Sequence, residues 1–532
     1  MKIFGIDLGT TYSCIAFVNE YGAAEVVPNA ESQTTTPSVV AFEEGGTVSV
    51  GDAAKETLNT DPDNVCSTIK RQMGKRDFTF YAFDQEYTPE AISAIILKKI
   101  AKDAGEALGE EVKDVVITCP AYFGLEEREA TKKAGIAAGL NVLAILNEPT
   151  AAAISYGIKT EEPQTVMVYD LGGGTFDVTI IKVENNSIRV VATGGDHMMG
   201  GKDWDEKISS YVIEQSCQAN GESVDSVYAD NELMGDLELK SEKAKKQLSQ
   251  KDSVKVKFNG ETVEISRSQF DQFTSDLLES TITKTHETML EAEKKGVDHY
   301  DKILLVGGST RMPQVDARLK QEFPNIPVEF CDPDQSVAKG AAMYGLNMAA
   351  FAEFSEKDNN GDGPTITKEE QEELRRNVFF GTGSQAKPIT IKNVISQCIA
   401  VKLICEDNKE HIVNQIFKNT EIPCEHVLHA GTHMANQTTV AIEIFENAST
   451  DEYVDEDLCK ALVDGELGPL PSGLPAGAPI DVVFKIDENG LLSIDAEHKP
   501  SGAVKHLEVN LQNALSQEEL QEEIAKVNAL HI

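Results

Sequence analysis

Three glycine-rich turns carry the residues best suited to bind a polyphosphate. They are Asp7-Leu8-Gly9-Thr10-Thr11, Asp170-Leu171-Gly172-Gly173-Gly174-Thr175 and Val306-Gly307-Gly308-Ser309-Thr310, and each follows a short apolar, β-rich run. Glycine lets the backbone approach a ligand closely and point successive N–H groups at an anion. The first two turns also combine an Asp that can face a metal ion with a Thr hydroxyl. They therefore predict two halves of one nucleotide-binding site.

The alternative for any single turn is an ordinary tight turn, because Gly-Gly often follows a strand for that reason alone. Three such turns in order, two of them with the same strand, Asp, Gly and Thr pattern, favour a ligand site. Neither Gly-x-x-x-x-Gly-Lys-Ser/Thr nor Gly-x-Gly-x-x-Gly opens a helix in this chain. A P-loop or Rossmann site is therefore disfavoured.

The elements that must position these turns alternate between strand and helix up to about residue 350, which indicates an α/β domain. Strands are predicted at 112–118 and 142–146, and helices at 125–138 and 149–156. A further helix is predicted from an apolar stripe formed by Leu233, Leu237, Ala244 and Leu248. Its other face carries Glu242, Lys245, Lys246 and Ser249. From the pattern alone, a solvated face is the default interpretation of these polar residues.

The composition divides the chain into four parts. Residues 1–350 form the α/β domain, and an acidic polar segment at 351–392 follows as a linker. In residues 393–512, the runs 398–404, 439–445 and 480–486 alternate or are β-branched, which is typical of a β-sandwich. Residues 513–532 contain a short helix with a capping box at Ser516 and Glu519 and an apolar stripe of Leu520, Ile524 and Val527.

The acidic linker contains the spacing of a calcium loop. Asp358, Asn360, Asp362 and Glu369, with Gly363, satisfy that pattern. However, Pro364 occupies the carbonyl-donating seventh position, Thr365 stands where an apolar residue is usual, and the sequence has no second loop to pair with it. We therefore interpret the segment as a solvated acidic linker and expect no Ca²⁺ there.

The overall composition argues against several functional classes. The 532 residues include 48 Lys and Arg against 88 Asp and Glu, a formal net charge of −40. This charge argues against nucleic acid or an anionic membrane as the main partner. The nine Cys are scattered, without a Cys-x-x-Cys pair or a His/Cys cluster, so neither a disulfide framework nor a zinc site is predicted. With no apolar segment long enough for a membrane span, we expect a cytoplasmic protein.

The turns, taken with further motifs, resemble those of the 70-kilodalton heat-shock chaperone family. The additional matching motifs are Thr35-Thr36-Pro37-Ser38, Ile69-Lys70-Arg71, Pro120-Ala121-Tyr122-Phe123 and Asn147-Glu148-Pro149-Thr150. All occur in the family's order. The similarity covers essentially all of residues 1–350 and continues more weakly through 419–423 and 484–490.

The resemblance implies a two-lobed, actin-like ATPase domain followed by an all-β peptide-binding sandwich and a short C-terminal helix. The chain would then be an ATP-dependent chaperone and weak ATPase that binds extended apolar segments of unfolded polypeptides. ATP or ADP with Mg²⁺, and K⁺ as a further cation, are the implied cofactors. The family's partners also include J-domain co-chaperones and nucleotide exchange factors.

Site residues follow from the same resemblance, position by position. The implied catalytic residues are Lys70, Glu148, Asp177, Asp170, Thr175 and Asp7. Among them, Lys70 would orient the attacking water, and Asp7 and Asp170 would hold Mg²⁺ largely through its waters. The implied nucleotide-binding residues are Gly9, Thr10, Thr11, Tyr12, Gly172, Gly173, Gly201, Glu242, Lys245, Lys246, Ser249, Gly307, Gly308, Ser309, Arg311 and Asp334. Val440 and Ile442 match peptide-groove positions, although both could equally fill the sandwich core.

The chain departs from the family at several positions. Lys246 replaces an Arg that would stack on the adenine base, which predicts weaker nucleotide binding. The segment 388–392 is less apolar than the family's interdomain linker and ends in Lys392, so docking of a J-domain is atypical. Two other functional classes stay open on the sequence: a small-molecule (sugar) kinase with the same fold, and a nucleotide-dependent scaffold.

Overall fold

The computed structural model describes residues 2–156, 163–184, 187–359, 390–487, 490, 492–508 and 516–532. Residues 2–156 form lobe I. Its strands are β1 (Ile3–Asp7), β2 (Tyr12–Val18), β3 (Ala24–Val26), β4 (Thr36–Pro37), β5 (Val39–Phe42), β6 (Val48–Val50), β7 (Val65–Ser67), β8 (Phe80–Ala82), β9 (Gln85–Tyr87), β10 (Asp114–Cys119) and β11 (Asn141–Asn147). Its helices are α1 (Asp52–Glu56), α2 (Pro89–Leu108), α3 (Leu125–Ala137) and α4 (Glu148–Ser155), with 3₁₀ turns at Thr57–Asn59, Pro62–Asn64 and Ile69–Gln72.

Lobe II spans residues 163–359. Its strands are β12 (Gln164–Leu171), β13 (Phe176–Glu184), β14 (Ser187–Asp196), β15 (Ser253–Phe258), β16 (Glu261–Ser266), β17 (Lys302–Val306) and β18 (Val328–Phe330). Its helices are α5 (Gly201–Asn220), α6 (Val224–Tyr228), α7 (Asn231–Leu248), α8 (Arg267–Phe273), α9 (Ser275–Lys294), α10 (Pro313–Glu322) and α11 (Ser336–Asn359), with a 3₁₀ turn at Gly308–Arg311.

The two lobes repeat one sheet topology. In lobe I the strand order is β11-β10-β1-β2-β3, and in lobe II it is β18-β17-β12-β13-β14. In lobe I, β1 pairs in parallel with β10 and antiparallel with β2. In lobe II, β12 pairs in the same way, in parallel with β17 and antiparallel with β13. Asp7 and Asp170 therefore stand at equivalent strand ends, and the glycine turn after each strand leads into the next antiparallel strand. This duplication explains why two similar turns occur so far apart in the sequence.

Helix α11 joins the lobes at their base. It packs on β1 closely enough that a Cβ on Gly5 would lie 2.2 Å from the backbone N of Ala342. A Cβ on Gly340 would lie 1.7 Å from the carbonyl oxygen of Ala151 in α4, so the two helices also cross in close backbone contact. Each lobe has its own buried apolar core, and a third buried cluster lies between the two sheets. Helix α11 and this third cluster thus connect the two sheets.

The last part of the chain forms the sandwich and a terminal helix. Its strands are β19 (Thr390–Lys392), β20 (Cys398–Ile404), β21 (Glu410–Ile416), β22 (Cys424–Gly431), β23 (Val440–Asn447), β24 (Tyr453–Val454), β25 (Cys459–Leu467), β26 (Pro479–Ile486), β27 (Leu492–His498) and β28 (Ala503–Glu508), with a 3₁₀ turn at Glu456–Leu458 and the helix α12 (Gln517–Ala529). Sheets β24-β21-β20-β23-β25 and β22-β26-β27-β28 enclose one apolar core. This arrangement confirms a β-rich region followed by a helix.

The sandwich is docked on both lobes of the α/β domain. The backbone N–H of Thr193 in β14 donates to Asn419 Oδ1 over 3.0 Å, and Lys295 Nζ donates to the carbonyl oxygens of Val191 and Asn419. Toward lobe I, Ser396 Oγ donates to the carbonyl oxygen of Phe123 over 2.7 Å. These contacts place the start of the sandwich against β14 and the end of α9 in lobe II and against the loop before α3 in lobe I.

Two segments lie where the sequence did not place them. Strand β19, from the segment predicted as linker, pairs in parallel with β14 and forms the sixth strand of the lobe II sheet. Helix α12 contacts α2 and α3, and its Leu520 and Val527 belong to the lobe I core. The capping box at Ser516 and Glu519 is present. The terminal helix thus stabilises lobe I through the apolar stripe that the sequence shows.

Candidate functional site

A cleft with a volume of about 1270 Å³ lies between the two lobes. This is enough for a nucleotide, since pockets for small ligands usually hold about 300–1,000 Å³. The predicted residues that line it are Asp7, Gly9, Thr10, Thr11, Tyr12, Lys70, Glu148, Asp170, Gly172, Gly173, Thr175, Glu242, Lys245, Lys246, Ser249, Gly307, Gly308, Ser309, Arg311 and Asp334. Sequence positions more than 300 residues apart therefore meet at one cleft.

The first two glycine turns interlock at the floor of the cleft. A Cβ on Gly173 would lie 2.0 Å from Thr11 Oγ1, and one on Gly174 would lie 2.2 Å from Thr10 Cγ2. No other residue type fits at such distances without moving the opposite turn. The turns of the two lobes are therefore close enough to contact one ligand together.

The third turn needs glycine for a different reason. Gly307 has a φ of +81°, a conformation that residues with a side chain rarely adopt, and a Cβ there would lie 2.5 Å from Asp170 Oδ1. The hydroxyl of Ser309 donates to the carbonyl oxygen of Gly172 over 2.9 Å. The third turn is thereby fixed against the second.

The cleft holds one buried ammonium with three carboxylates, and a fourth carboxylate, that of Asp177, is buried behind them. Lys70 Nζ lies 2.5 Å from Glu148 Oε1, and the Lys70 side chain is 5% exposed. Asp170 is paired directly with Asp177 across the antiparallel strands β12 and β13, where like charges repel. Asp7 lies at the corresponding strand end of lobe I. Four carboxylates with one ammonium give an excess of negative charge, which favours the binding of a cation.

The pKa values of this group reflect that imbalance. Burial, reinforced by the charge of Glu148, raises the pKa of Asp7 to about 7. Burial and the same glutamate also hold the pKa values of Asp170 and Asp177 well above the usual range. Burial alone would lower the pKa of Lys70, but the charges of Glu148 and Asp7 raise it, so the ammonium stays charged.

The carboxylates suit a hydrated divalent cation rather than a fully protein-bound one. Among the described residues, no group of three His, Cys, Asp or Glu is close enough to enclose a metal ion. Asp7 and Asp170 line the cleft from opposite lobes, and their carboxylate oxygens are the kind of ligand that Mg²⁺ prefers. A Mg²⁺ ion that keeps several waters and binds substrate phosphates fits this donor set.

At the far end of the cleft, α7 supplies the polar residues that the sequence left ambiguous. Lys245 Nζ donates to Asp205 Oδ2 over 2.8 Å and to the carbonyl oxygen of Gly201 over 2.6 Å. Ser249 and Lys246 also line the cleft. Arg311 and Asp334 form an ion pair of 2.6 Å beside it. The polar face of α7 therefore lines the cleft and is not simply a surface face turned to bulk solvent.

A hydrogen-bonded cluster connects the two lobes across the mouth of the cleft. The hydroxyl of Tyr12 donates to Glu242 Oε1 over 2.9 Å, while Lys55 and Lys246 each donate to that hydroxyl over 2.9 Å. Both lysines also pair with Glu242. Burial acts to raise the pKa of Glu242, but the two ammonium groups lower it to about 2. The cluster closes the cleft over the site.

Some predicted residues do not line the cleft. Asp177 is buried behind it and accepts a hydrogen bond of 3.1 Å from the N–H of Ala121, and Gly201 supports Lys245 from behind. Ile442 is 3% exposed within the sandwich core, and Val440 is half-buried beside it. Asp358 lies in α11, and Asn360, Asp362 and Glu369 lie outside the described residues.

The structure adds residues that the sequence did not single out. Lys55, Asp205 and Lys202 contact the predicted residues at the cleft. Arg71 contacts the second glycine turn from lobe I, through a hydrogen bond of 2.8 Å from Nε to the carbonyl oxygen of Gly174. For Arg71 the signal was its place beside Lys70 in a matching motif. For Lys55 the sequence offers none, since an isolated lysine in a short helix is usually a surface residue.

Comparison with known proteins identifies the family. The model of the Hsp70 protein family matches residues 3–350 and 375–531. The chain belongs to the Hsp70 family. It is an ATP-dependent chaperone with ATPase activity, and it binds ATP or ADP and unfolded polypeptide, as the resemblance in sequence implied. Neither the family match nor the relatives favour the sugar-kinase alternative.

Individual relatives resemble the chain over nearly its whole length. The chaperone protein DnaK of Thermosipho melanesiensis is 36% identical over 530 residues, 97% of this chain and 82% of that protein. The chaperone protein DnaK of Thermotoga neapolitana is 35% identical over 531 residues, with the same two coverages. That of Thermosipho africanus is 36% identical over 530 residues, 97% of this chain and 81% of the relative.

Proposed function

We propose that ATP binds with its phosphates between the two interlocked glycine turns and its nucleoside against α7 and the third turn. The observation that carries this proposal is the position of Lys70. Its ammonium pairs with Glu148 in the cleft and interacts with the charges of Asp7 and Asp170, and the same cleft is lined by the second glycine turn. Phosphoryl transfer to water depends on positioning and on neutralising developing charge, and this arrangement supplies both.

Each residue has a proposed role in hydrolysis. Lys70 orients the attacking water and neutralises charge on the γ-phosphate, and Glu148 holds the Lys70 ammonium in place. Backbone N–H groups of the two turns and the hydroxyls of Thr10, Thr11 and Thr175 donate to the phosphates. A Mg²⁺ ion bound there would neutralise charge on the phosphate oxygens. Asp7 and Asp170 would hold it through its waters, with Asp177 behind them.

The nucleoside end has a separate set of contacts. Lys245, Ser249 and Lys246 present polar groups from α7, and Arg311 with Asp334 encloses the opposite side. Lys246 reaches Tyr12 and Glu242 and carries a point charge instead of a planar guanidinium. We propose that it stacks poorly on adenine and that this chain binds ATP less tightly than relatives with Arg there.

We propose that the docked arrangement is a state of fast peptide exchange. Peptide would bind at the loop end of the sandwich, where Val440 is accessible and Ile442 supports it from the core. Helix α12 makes its main contacts with α2 and α3 of lobe I. A helix held there does not close the peptide groove, so bound peptide can leave quickly.

Partners and location stay proposals. A J-domain co-chaperone and a nucleotide exchange factor are proposed from the family, although Lys392 on β19 already pairs with Glu421 over 2.8 Å. K⁺ is kept as a proposed second cation. Within the described ranges, no helix combines the length and apolar character that a bilayer crossing requires. We propose a cytoplasmic location on the basis of the nine cysteines, all of which are free thiols.

The test of the site is Lys70→Ala. We expect this variant to bind Mg-ATP in calorimetry with an affinity close to that of the parent chain, because the glycine turns and α7 are unchanged. Its single-turnover hydrolysis should fall by about a hundredfold or more, in the range of losses for groups that stabilise transition-state charge. Lys75→Ala removes an exposed lysine nearby and serves as the matched control. Hydrolysis at the parent rate in Lys70→Ala would refute the assignment.

A further inference from the structure

The carbonyl oxygens of the three glycines in the second turn each accept a hydrogen bond from the protein. The Gly172 oxygen accepts from the N–H of Gly201 over 2.9 Å and from Ser309 Oγ over 2.9 Å. The Gly173 oxygen accepts from the N–H of Lys202 over 2.8 Å. The Gly174 oxygen accepts from Arg71 Nε over 2.8 Å.

These bonds fix the direction of the N–H groups. In a trans peptide unit, the C=O of one residue and the N–H of the next point to opposite sides. Holding the oxygens of Gly172, Gly173 and Gly174 outward therefore turns the N–H groups of Gly173, Gly174 and Thr175 toward the cleft. Three consecutive N–H groups on one side form an anion site. The orientation of the N–H groups in the proposed phosphate site thus depends on the donors that bind these three carbonyl oxygens.

Arg71 differs from the other donors because it comes from the opposite lobe. Gly201, Lys202 and Ser309 belong to lobe II with the turn itself, whereas Arg71 lies on the 3₁₀ turn of lobe I at Ile69–Gln72. Its bond to Gly174 consequently joins the two lobes. The other bonds are kept when the lobes separate, but this one requires them to be closed.

The Arg71 guanidinium has a second partner in lobe II besides Gly174. Arg71 Nη2 lies 2.7 Å from Asp203 Oδ2, and the arginine side chain is 9% exposed. The same Asp203 oxygen accepts the N–H of Gly200 over 2.7 Å, at the start of α5. Arg71 thus contacts a backbone carbonyl through Nε and a carboxylate through Nη2, two nitrogens that the planar guanidinium holds in a fixed relative orientation.

Arg71 directly follows Lys70, the residue proposed to act on the γ-phosphate. One short 3₁₀ turn therefore presents Lys70 to the cleft and Arg71 to the opposite turn. The turn is preceded by Thr68, which adopts a left-handed backbone conformation with a φ of +56°. Movement of Arg71 relative to Gly174 would displace Lys70 by a comparable amount.

We propose that Arg71 is a positioning residue for ATP hydrolysis, which aligns Lys70 with the N–H groups of the second glycine turn when the lobes close. No bond forms or breaks at Arg71, and it acts through Gly174 and Lys70. The inference rests on the proposed ATP site. It adds that hydrolysis requires alignment of the two lobes by Arg71, whereas binding of ATP does not.

The test compares Arg71→Ala and Arg71→Lys with the parent chain in ATP affinity and single-turnover rate. We expect the rate of Arg71→Ala to fall about tenfold to a hundredfold, because a misplacement near 1 Å can cost about that much. The ATP dissociation constant should change much less, since the glycine turns and α7 stay in place. Arg71→Lys should lie between Arg71→Ala and the parent, because an ammonium keeps the charge but loses the fork.

Chemical rescue separates alignment from fold. Millimolar guanidinium chloride, far below denaturing concentrations, should restore part of the rate of Arg71→Ala and leave the parent unaffected. Arg318→Ala is the matched control, because Arg318 also pairs with carboxylates (Glu279 and Glu322) but lies on the outer surface of lobe II. That variant should hydrolyse ATP at the parent rate and show no response to guanidinium.

Three results would overturn the inference. One is a parent-like rate in Arg71→Ala, and another is a loss of ATP affinity as large as the loss of rate. The third is a failure of guanidinium to restore any activity to a variant that melts at the parent temperature. An absence of ATP binding in the parent chain itself would instead refute the proposed ATP site.

Discussion

A buried glutamate at the contact between sandwich and lobe I should make docking depend on pH. Glu446 in β23 is 6% exposed, and its Oε1 accepts the N–H of Leu125 over 3.3 Å at the start of α3. Glu126 and Glu127 of α3 face it, and Lys460 of β25 lies between these acids. Burial, followed by the charge of Glu127, raises the pKa of Glu446 from 4.5 to about 8.

The sign follows from the raised pKa. Below about pH 4.5, Glu446 is protonated whether or not the sandwich is docked, so docking is at its strongest. Between about 4.5 and 8, the undocked carboxylate loses its proton while the docked one keeps it, and docking weakens by about 1.4 kcal/mol per pH unit. At pH 7 the accumulated cost is about 3 kcal/mol. Between pH 6.5 and 7.5 the docking constant should fall about tenfold.

The assay is hydrogen exchange of peptides that contain the Leu125 amide, with each rate corrected for the chemical effect of pH. Protection in the parent chain should decrease from pH 6.5 to 7.5. Glu446→Gln keeps an oxygen acceptor but cannot ionise, so its protection should be higher at pH 7.5 and nearly independent of pH. Glu466→Gln, at an exposed position of β25, is the matched control. A parent chain whose protection does not change with pH, or a Glu446→Gln variant with the parent slope, would refute the reasoning.

Two further predictions concern packing. Gly173→Ala places a Cβ 2.0 Å from Thr11 Oγ1, and overpacking of about 1–3 kcal/mol should weaken ATP binding in calorimetry by roughly tenfold to a hundredfold. Unchanged affinity would mean that the turns separate without cost. Leu520→Ala removes a side chain of α12 that is 6% exposed in the lobe I core, and should weaken helix docking by about 2–5 kcal/mol. Hydrogen exchange across 517–529 should then accelerate, whereas exchange as slow as in the parent would show that Leu520 contributes little.

Elements with strong local patterns were predictable from the sequence. The strands before the glycine turns, the alternation in lobe I and the sandwich strands appear within a few residues of their predicted bounds. Strand β20 begins and ends at the predicted residues, because a β-branched run at 398–404 is bounded by polar turn residues. The capping box of α12 is likewise a local signal, since Ser516 and Glu519 satisfy each other's backbone within one turn.

Features that depend on docking were not predictable. Glu446 stands in an alternating strand and reads as solvent-facing, and only contact with α3 buries it. Strand β19 has three residues, too few for a pattern, and forms by pairing with β14. The role of the polar face of α7 was ambiguous for the same reason, because only the folded structure shows that this face lines the cleft. Tertiary contact decided these cases, and for α7 the resemblance to a family supplied what periodicity could not.

The most direct test of the central claim measures release of a labelled apolar peptide by fluorescence anisotropy, with Mg-ATP and with Mg-ADP. The claim is that ATP in the interlobe cleft controls how the sandwich holds peptide, through contacts such as Ser396 to Phe123. We predict faster release with ATP than with ADP, and loss of that difference in Gly173→Ala at ATP concentrations that saturate only the parent chain. Equal release rates with the two nucleotides in the parent chain would contradict the account.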